Sequence, residues 1–342
     1  MNEARVLVVD DSAAMRALFS EILDQAKQVK VVGVAADAAE ARDQIAELRP
    51  NVITLDVEMP GMSGIEFLEE LMDSQPVPVV MLSSLTQAGT ETSLKAFSLG
   101  AVECFPKPLR ATPEQFNKVV GKLGKVVLAA ANSNVRKREQ GATAAQAAQN
   151  FAWNGHIVAV GASMGGIDAL GTILPALPAN CPPMVVALQA EQAVADAFIA
   201  KIAGEAQCAV RAAKDGAQLT QGVVHIAADP GHHVVVEPGA PPRLRLLDRE
   251  PVEGARPSTN LLFGTLARAN IAALGMVLTG MGEDGAKGLK MLQAAGGSTL
   301  VQDPATATVA EAPAAAIAAG GAEKVVPLEQ IAAALCEACS AA

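Results

Sequence analysis

Residues 5–11 read "RVLVVDD", a run of aliphatic residues that ends in two acids. Near-continuous apolar strands that alternate with helix-like segments are typical of a parallel sheet covered by helices on both faces. Five such units precede residue 125, which predicts a small doubly wound α/β domain. The four further apolar runs lie at 29–35, 51–56, 77–84 and 101–108.

A polar stretch separates this region from a second one with the same rhythm. Residues 131–154 are rich in Ala and Gln and lack strand periodicity, which indicates a linker. From "HIVAVGAS" at 156–163 onward, apolar runs and helix-like segments alternate again. A chain of 342 residues is long enough for two domains. We therefore predict two doubly wound parallel-sheet domains, with a first domain at 1–125, a linker at 126–154 and a second domain at 155–342.

Composition excludes several classes of function. A net charge of −10 argues against a general nucleic-acid binder, because phosphate backbones attract basic surfaces. No run of about 18 apolar residues lacks charges or breakers, so we expect no membrane insertion. The acidic N-terminus enters a strand pattern at once, unlike a secretion signal, and we expect a cytoplasmic protein. We interpret Cys336 and Cys339, a C-x-x-C without a second ligand pair, as ordinary apolar residues.

Acidic side chains follow two strands of the first predicted sheet. Asp10 and Asp11 end the first strand, and Asp56 ends the third. Ligands of open parallel sheets bind beyond the carboxyl ends of the strands. Three carboxylates that converge there repel one another unless a hard divalent cation joins them. The pattern predicts a Mg²⁺ site at these three residues, with an aspartate placed to act as nucleophile toward a phosphoryl group.

Two further side chains belong to the same predicted edge of the sheet. Ser83 ends the fourth strand and could hydrogen-bond the resulting phosphate, whereas Lys107 follows the fifth and could neutralise it. The segments "VLVVDDSAAMR", "TLDVEMPGMSGIEFL", "VVMLSS" and "GAVECFPKP" together resemble a response-regulator receiver domain. The resemblance implies a flavodoxin-like fold with Asp56 as phosphoacceptor. Cys104 stands where receivers usually place an aromatic that changes rotamer on phosphorylation, which leaves the readout open.

The segment "GASMGG" at 161–166 lies between a strand-like and a helix-like stretch. Its G-x-S-x-G pattern permits a sharp turn that exposes the Ser163 hydroxyl. The following helix N-terminus would supply N–H groups for an oxyanion. A phosphate cradle or a plain tight turn fits the pattern as well. A dinucleotide site is disfavoured because the later glycine and the ribose-binding acid are missing from fitting positions.

The wider context of this serine carries a second resemblance. Its segments are "RPSTNLLF" at 256–263, "LGMVLTGMGEDGAKGLKML" at 274–292 and "GGSTLVQDPATATV" at 296–309. In this order, after a receiver and a linker, they resemble the catalytic domain of chemotaxis protein-glutamate methylesterases, the CheB family. The resemblance implies a Rossmann-like serine hydrolase that acts on receptor glutamate methyl esters and can deamidate glutamines. A CheA-type histidine kinase and methyl-accepting chemotaxis receptors would be its partners.

The same resemblance implies roles for individual residues of the second domain. Ser163 would be the nucleophile, Asp284 the acid that orients a histidine, and Met164 and Met281 part of the oxyanion pocket. No cofactor is implied for this domain. Three departures from the family stand out: Met164 replaces a small polar residue, Ala190 replaces a methionine, and "TVAEAP" at 308–313 lacks the usual Gly-Met-Pro.

The base of the implied triad is the main difficulty. The family places its histidine nine residues before a phenylalanine, and counting back from Phe198 gives Gln189. A carboxamide does not titrate near neutral pH, so the serine would lack a proton acceptor. Removing the histidine of such a triad costs on the order of a millionfold in turnover. Glu191 stays open as a substitute base, and we interpret the four histidines as structural or exposed: His156, His225, His232 and His233.

Two functional hypotheses follow from this sequence. The first is a receptor methylesterase and glutaminase that phosphorylation of Asp56 activates by a shift between packed and open domain arrangements. The second is a catalytically impaired regulator, in which the esterase-like domain serves as a phospho-dependent binding or phosphate-sink module. Family resemblance favours the first hypothesis, and the chemistry of Gln189 favours the second.

Overall fold

A computed structural model describes residues 3–83, 87–107, 113–135 and 151–341. The chain divides into two compact units, Met1–Glu139 and Gln140–Ala342. Within the described residues, no helix combines the length and the apolar character needed to cross a bilayer. Each unit is built around its own parallel sheet.

The first unit contains a five-stranded parallel sheet in the order β2-β1-β3-β4-β5. This order is flavodoxin-like and confirms the predicted class. Strands β3 and β4 are buried along their whole length, because helices cover both faces of the sheet. The strands are β1 (Ala4–Val9), β2 (Val29–Ala35), β3 (Val52–Asp56), β4 (Val79–Ser83) and β5 (Glu103–Pro106).

Side-chain caps define the starts of the first three helices of this unit. Ser12, Asp37 and Ser63 each accept a backbone N–H three residues ahead. Ser63 also forms a capping box with Glu66, which satisfies two N–H groups that the helix cannot bond internally. The helices are α1 (Ala13–Asp24), α2 (Ala38–Leu48), α3 (Gly64–Ser74), α4 (Gln87–Leu99) and α5 (Pro113–Ala131).

The predicted linker differs from the structure at both of its ends. Helix α5 continues through residues 126–131. Residues 151–154 pair with the C-terminal segment, since Asn154 N–H donates to the Cys339 carbonyl and Ala341 N–H to the Ala152 carbonyl. Residues 136–150 of the predicted linker lie outside the described residues.

The second unit contains a seven-stranded parallel sheet in the order β14-β13-β12-β6-β7-β9-β8, and a separate antiparallel hairpin of β10 and β11. The parallel sheet confirms the second predicted fold. The strands are β6 (Ile157–Ala162), β7 (Met184–Leu188), β8 (Ala209–Ala212), β9 (Val223–Ala227), β10 (His233–Glu237), β11 (Arg243–Leu247), β12 (Ala273–Val277), β13 (Ser298–Gln302) and β14 (Lys324–Val326).

The strand order of this sheet reverses next to β6. From β6 the chain passes to β7 on one side and later returns to β12 on the other. Such a switch point leaves a crevice beyond the carboxyl ends of the strands, where ligands bind in open α/β sheets. The helices are α6 (Gly166–Ile173), α7 (Gln192–Glu205), α8 (Thr259–Ala269), α9 (Ala286–Ala294), α10 (Glu311–Ala318) and α11 (Ile331–Ala338).

Candidate functional site

The three acids of the first unit converge at the carboxyl edge of its sheet. Each of Asp10, Asp11 and Asp56 offers a carboxylate oxygen, and these oxygens lie within 4.8 Å of one another. Asp10 and Asp56 are buried, whereas Asp11 is exposed. An all-carboxylate set that is open on one side is the kind of donor set that Mg²⁺ accepts, because this ion keeps several waters.

Lys107 lies between the two buried acids of this cluster. Its Nζ is 2.9 Å from Asp10 Oδ2 and 2.6 Å from Asp56 Oδ2. Burial raises the pKa of the Asp56 carboxyl, although the lysine acts in the opposite direction. Burial also disfavours charge on Lys107, but the two carboxylates outweigh this effect and raise its pKa. The ammonium group therefore stays charged beside Asp56.

Ser83 lies at the same edge of the sheet. It is buried at the end of β4, and its carbonyl accepts the Lys107 N–H at 2.9 Å. Cys104 is also buried, with its Sγ 3.8 Å from the carbonyl of Ser93 on α4. Burial raises the pKa of the Cys104 thiol, which keeps it protonated. A thiol contact to α4 thus occupies the position where receivers usually carry an aromatic.

Ser163 follows β6 directly and faces the turn after β12. Met281 N–H donates to Ser163 Oγ at 2.9 Å, and Ser163 N–H donates to the Thr279 carbonyl at 3.2 Å. A Cβ added at Gly280 would lie 2.4 Å from Ser163 Oγ. Glycine at 280 therefore makes room for the hydroxyl beside the Met281 amide.

Buried hydrogen bonds of Thr279 hold the two turns together. Its N–H donates to Gln302 Oε1 at 2.8 Å, and its hydroxyl donates to the Met164 carbonyl at 2.9 Å. The same hydroxyl accepts the Val309 N–H at 2.9 Å. Met164 is buried in this network, and unlike Met281 it does not line the pocket at Ser163.

Gln189 follows β7, the neighbour of β6. Its backbone N–H donates to the Ala162 carbonyl at 2.9 Å. Its side-chain Nε2 donates to Asp284 Oδ2 at 2.9 Å and to the Pro257 carbonyl at 3.1 Å. Because both partners only accept hydrogen bonds, the amide nitrogen must be the atom that faces them. The carboxamide thus makes the contact to Asp284 that the family's histidine would be expected to make.

Asp284 is held at the N-terminus of α8. Its Oδ2 accepts the Thr259 N–H at 2.7 Å, and its Oδ1 accepts the Asn260 N–H at 3.0 Å. The Ser258 hydroxyl donates to Oδ1 at 2.9 Å. A carboxylate is stabilised by the positive end of a helix dipole and by these N–H groups. These α8 contacts were missed from sequence, although Ser258 is a recognisable helix N-cap.

One pocket is lined by four of the residues that the sequence singled out in the second domain. Ser163, Gln189, Met281 and Asp284 all line it. Glu191 is exposed at the start of α7 and is not among the lining residues. The other lining residues are Gly161, Ala162, Thr259, Val277, Leu278, Thr279 and Ala312.

The four histidines all lie elsewhere in the second unit. His156 precedes β6, at the end opposite to Ser163, as expected. His225 is buried in β9, and His232 forms an exposed pair with Asp229. His233 is buried, with Nδ1 accepting the Ser258 N–H at 3.1 Å and Nε2 bonded to the Glu250 carbonyl at 3.0 Å. No histidine lines the Ser163 pocket.

Comparisons with known proteins agree with this architecture. Residues 158–335 match the family model for CheB methylesterase, and residues 6–121 match the response regulator receiver domain. The protein-glutamate methylesterase/protein-glutamine glutaminase 1 of Caulobacter vibrioides is 42% identical, covering 97% of this chain and 96% of that protein. The corresponding enzyme of Rhizobium etli is 40% identical, covering 96% and 94%.

A solved structure supports the assignment of the second unit. The catalytic domain of Thermotoga maritima CheB methylesterase is 28% identical with a TM-score of 0.51, covering 54% of this chain and 98% of that chain. The full-length sequence relatives and the two domain matches point in the same direction. The chain therefore belongs to the CheB methylesterase family, with a response-regulator receiver domain ahead of its methylesterase domain.

Proposed function

We propose that this chain is a phosphorylation-regulated chemotaxis response regulator whose second unit binds methylated glutamates of chemoreceptors and hydrolyses them very slowly. One observation carries this proposal: the Gln189 carboxamide donates to Asp284 where the triad histidine would stand. The pocket keeps the serine and the acid of an acyl-transfer site. It replaces the base with a group that cannot take a proton.

The serine side of the pocket suits an ester carbonyl. Met281 N–H already donates to Ser163 Oγ, so a carbonyl carbon beside this hydroxyl would bring its oxygen close to the same amide. Amide donors at a developing oxyanion are a large part of acyl-transfer catalysis. Ester binding and oxyanion stabilisation therefore do not depend on residue 189.

Proton transfer is the step that this pocket lacks. Ser163 must lose its proton as it attacks, and the leaving methanol must gain one. Gln189 Nε2 already donates to Asp284 and to the Pro257 carbonyl, and the amide oxygen of Gln189 is too weak a base for this task. Glu191 is exposed at the start of α7 and does not line the pocket at Ser163. We expect turnover on the order of a millionfold below that of a complete triad.

The receiver contributes the regulatory input in this proposal. Asp56 accepts a phosphoryl group from a CheA-type histidine kinase, with Asp10, Asp11 and Asp56 as the residues that would hold Mg²⁺. The ion would neutralise charge on the phosphoryl oxygens. Lys107 pairs with Asp56 before phosphorylation and would pair with the phosphate afterwards, and the Ser83 hydroxyl would donate to it. We propose that the protein works in the cytoplasm, with methyl-accepting receptors as the second partner.

A second candidate function is a phosphate sink that drains the kinase without binding receptor esters. The observation that favours it is the contrast between the sites. Lys107, Asp10 and Asp56 form a complete ion-paired set, whereas the Ser163 pocket lacks its base. A receiver can accept and lose phosphate whether or not the attached domain is active.

The test uses the full chain with receptor that carries radiolabelled methyl esters. Methanol release and co-sedimentation with receptor membranes are measured for the wild type, Ser163→Ala and Gln189→His. We expect methylation-dependent binding by all three proteins. Hydrolysis that depends on Ser163 should be very slow in the wild type and should rise on the order of a thousandfold in Gln189→His.

Two outcomes would overturn parts of the proposal. Hydrolysis by the wild type at a rate similar to that of Gln189→His, and lost in Ser163→Ala, would show that a proton acceptor exists despite Gln189. Equal binding to methylated and unmethylated receptor, with no hydrolysis by Gln189→His, would remove the ester-binding function. Accelerated loss of phosphate from the kinase under those conditions would favour the phosphate sink.

A further inference from the structure

A carboxylate stands next to the oxyanion side of the Ser163 pocket. Glu311 Oε2 accepts the Gly282 N–H at 2.8 Å. The preceding amide, Met281 N–H, donates to Ser163 Oγ at 2.9 Å. Two consecutive amides of one turn therefore bond the serine hydroxyl and a carboxylate.

The backbone, and not the Glu311 side chain, places residue 311 at this turn. Gly280 N–H donates to the Val309 carbonyl at 3.0 Å, and Ala312 N–H donates to the Gly280 carbonyl at 3.0 Å. Residue 311 also opens helix α10. These contacts involve no side-chain atom of residue 311.

The charge of Glu311 has no counterion among the described residues. Among the side chains that the structure describes, no lysine, arginine or histidine forms an ion pair with it. The side chain is half-buried, so water screens it only in part. A helix N-terminus favours a carboxylate at residue 311 and helps to keep it there.

Acyl transfer at Ser163 would build negative charge beside this carboxylate. The carbonyl oxygen of the ester becomes an oxyanion in the transition state, and amide donors such as Met281 N–H stabilise it. A like charge bonded to the next amide raises the energy of that oxyanion but leaves the neutral ester almost unaffected. The carboxylate therefore opposes the chemical step more than it opposes binding.

We propose that Glu311 is an inhibitory charge that lowers the rate of acyl transfer at Ser163 independently of Gln189. The inference rests on the proposed function only in taking the Ser163 pocket as the place where the acyl group binds. Glu311 would thus lower the rate from within "TVAEAP" (308–313), a segment that departs from the family pattern.

A purely structural role for Glu311 makes a different prediction. If the side chain only ties Gly282 to α10, Glu311→Gln keeps an acceptor for the Gly282 N–H and changes little, whereas Glu311→Ala loosens the turn and slows the reaction. If the charge is inhibitory, both variants accelerate the reaction. The two roles therefore predict opposite signs for Glu311→Ala.

The experiment compares methanol release from methylated receptor by full-length Gln189→His with and without Glu311→Gln. We expect kcat to rise about tenfold with KM almost unchanged, and the gain to shrink at high salt. Glu323→Gln is the matched control, since Glu323 Oε2 also accepts a backbone N–H, that of Thr299 at 2.8 Å, but Thr299 lies on β13 and not in the turn that carries Met281. An unchanged or lower kcat for Glu311→Gln, or an equal gain from Glu323→Gln, overturns the proposal.

A second measurement does not require hydrolysis and keeps Gln189. An alkylboronic acid adds to a serine hydroxyl, forming a B–O bond and a tetrahedral anion while the hydroxyl proton passes to solvent. Its affinity for the full chain should rise about tenfold in Glu311→Gln and vanish in Ser163→Ala. Equal affinity of wild type and Glu311→Gln overturns the inhibitory role. Failure of Gln189→His to hydrolyse receptor would overturn only the proposed function.

Discussion

The two sites of this protein lie at equivalent places in similar sheets but differ in completeness. In the receiver unit, Lys107 Nζ lies 2.9 Å from Asp10 and 2.6 Å from Asp56, so both buried carboxylates of the site have an ion-pair partner. In the second unit, Ser163 and Asp284 line one pocket, and Gln189 lies hydrogen-bonded to the acid. The first site has each group that its proposed chemistry requires, whereas in the second site a carboxamide, which is not a base, is bonded to the acid.

This difference shows that a pocket can keep its hydrogen-bonded geometry although one of its side chains cannot act as a base. A carboxamide donates to Asp284 as a neutral imidazole would, and the contacts of Asp284 with α8 do not involve residue 189. The fold and the hydrogen bonds are preserved because they need a donor at that place. Catalysis at full rate needs a base as well, and we propose that Gln189 does not supply one.

The largest expected effect comes from completing the second site. Gln189→His should raise hydrolysis of methylated receptor on the order of a thousandfold, since it restores a group that can take the serine proton. Steady-state methanol release measures this change, and the rate should rise with pH as an imidazole loses its proton.

A matched control for this variant lies three residues further along the chain. Gln192 also donates to an aspartate, Asp196, at 2.9 Å, but it does not line the Ser163 pocket. Gln192→His should leave the rate at the wild-type level. An equal gain from both variants would contradict the assignment of residue 189 as the position at which the base is missing.

The second-largest expected effect comes from removing the phosphoacceptor of the receiver unit. Asp56→Asn should reduce phosphorylation by a small acyl phosphate on the order of a hundredfold or more, because it removes the nucleophilic carboxylate. Gel mobility of the phosphoprotein measures the result. Asp43→Asn, which changes an exposed acid of α2, is the control and should be phosphorylated normally. Normal phosphorylation of Asp56→Asn would place the phosphoacceptor elsewhere.

A smaller effect tests how closely the two turns of the serine site approach. Gly280→Ala puts a Cβ 2.4 Å from Ser163 Oγ and should displace the hydroxyl from the Met281 amide. In the Gln189→His background we expect at least about a tenfold loss of kcat, because misplaced reacting groups are costly. Gly171→Ala, whose Cβ would meet only Phe198 at 3.9 Å, should change nothing. Equal rates for both variants would show that Gly280 does not position the serine.

The smallest effect concerns the stability of the receiver unit. Burial raises the pKa of Glu103 on β5 to about 7, from 4.5. Between these values the unfolded carboxyl is ionised while the folded one stays protonated, so stability falls as the pH rises from 4.5 through 7. Glu103→Gln lacks this titrating carboxyl. Its free energy of unfolding, relative to that of the wild type, should therefore be about 1–2 kcal/mol higher at pH 8 than at pH 4.5, allowing for the partial exposure of the side chain.

Amide hydrogen exchange of β3 and β4 in the full chain measures this stability locally. The exposed Glu69 on α3 provides the control, and Glu69→Gln should show the same pH dependence as the wild type. An unchanged pH dependence in Glu103→Gln would place the titrating group elsewhere.

Sequence predicted the parts of the sites that depend on strand ends. Asp10, Asp56 and Lys107 come together because parallel strands place their carboxyl ends at one edge, and this periodicity is visible in the sequence. Gln189 was found by counting within a family pattern. Its hydrogen bond to Asp284 joins side chains that are 95 positions apart, and no local sequence pattern reports such a contact.

Other features could not be read from the sequence for physical reasons. Strands β8 and β14 are only four and three residues long, too short for a period to show. The Glu311 side chain reaches the Gly282 amide because backbone bonds join Val309 and Ala312 to Gly280, and no sequence pattern reports such bonds. The extension of α5 to Ala131 past residue 125 continues an alanine-rich run, which looks the same in a helix and in a linker.

The most direct test of the central claim asks whether anything activates Ser163 in the wild-type chain. A fluorophosphonate probe labels serines whose hydroxyl an adjacent base deprotonates, and intact-protein mass spectrometry detects the adduct without receptor or kinase. We predict no labelling of the wild type, labelling of Gln189→His, and loss of that labelling in the Ser163→Ala, Gln189→His double variant. Labelling of wild-type Ser163 at a rate similar to that of Gln189→His would contradict the claim that this pocket lacks a base.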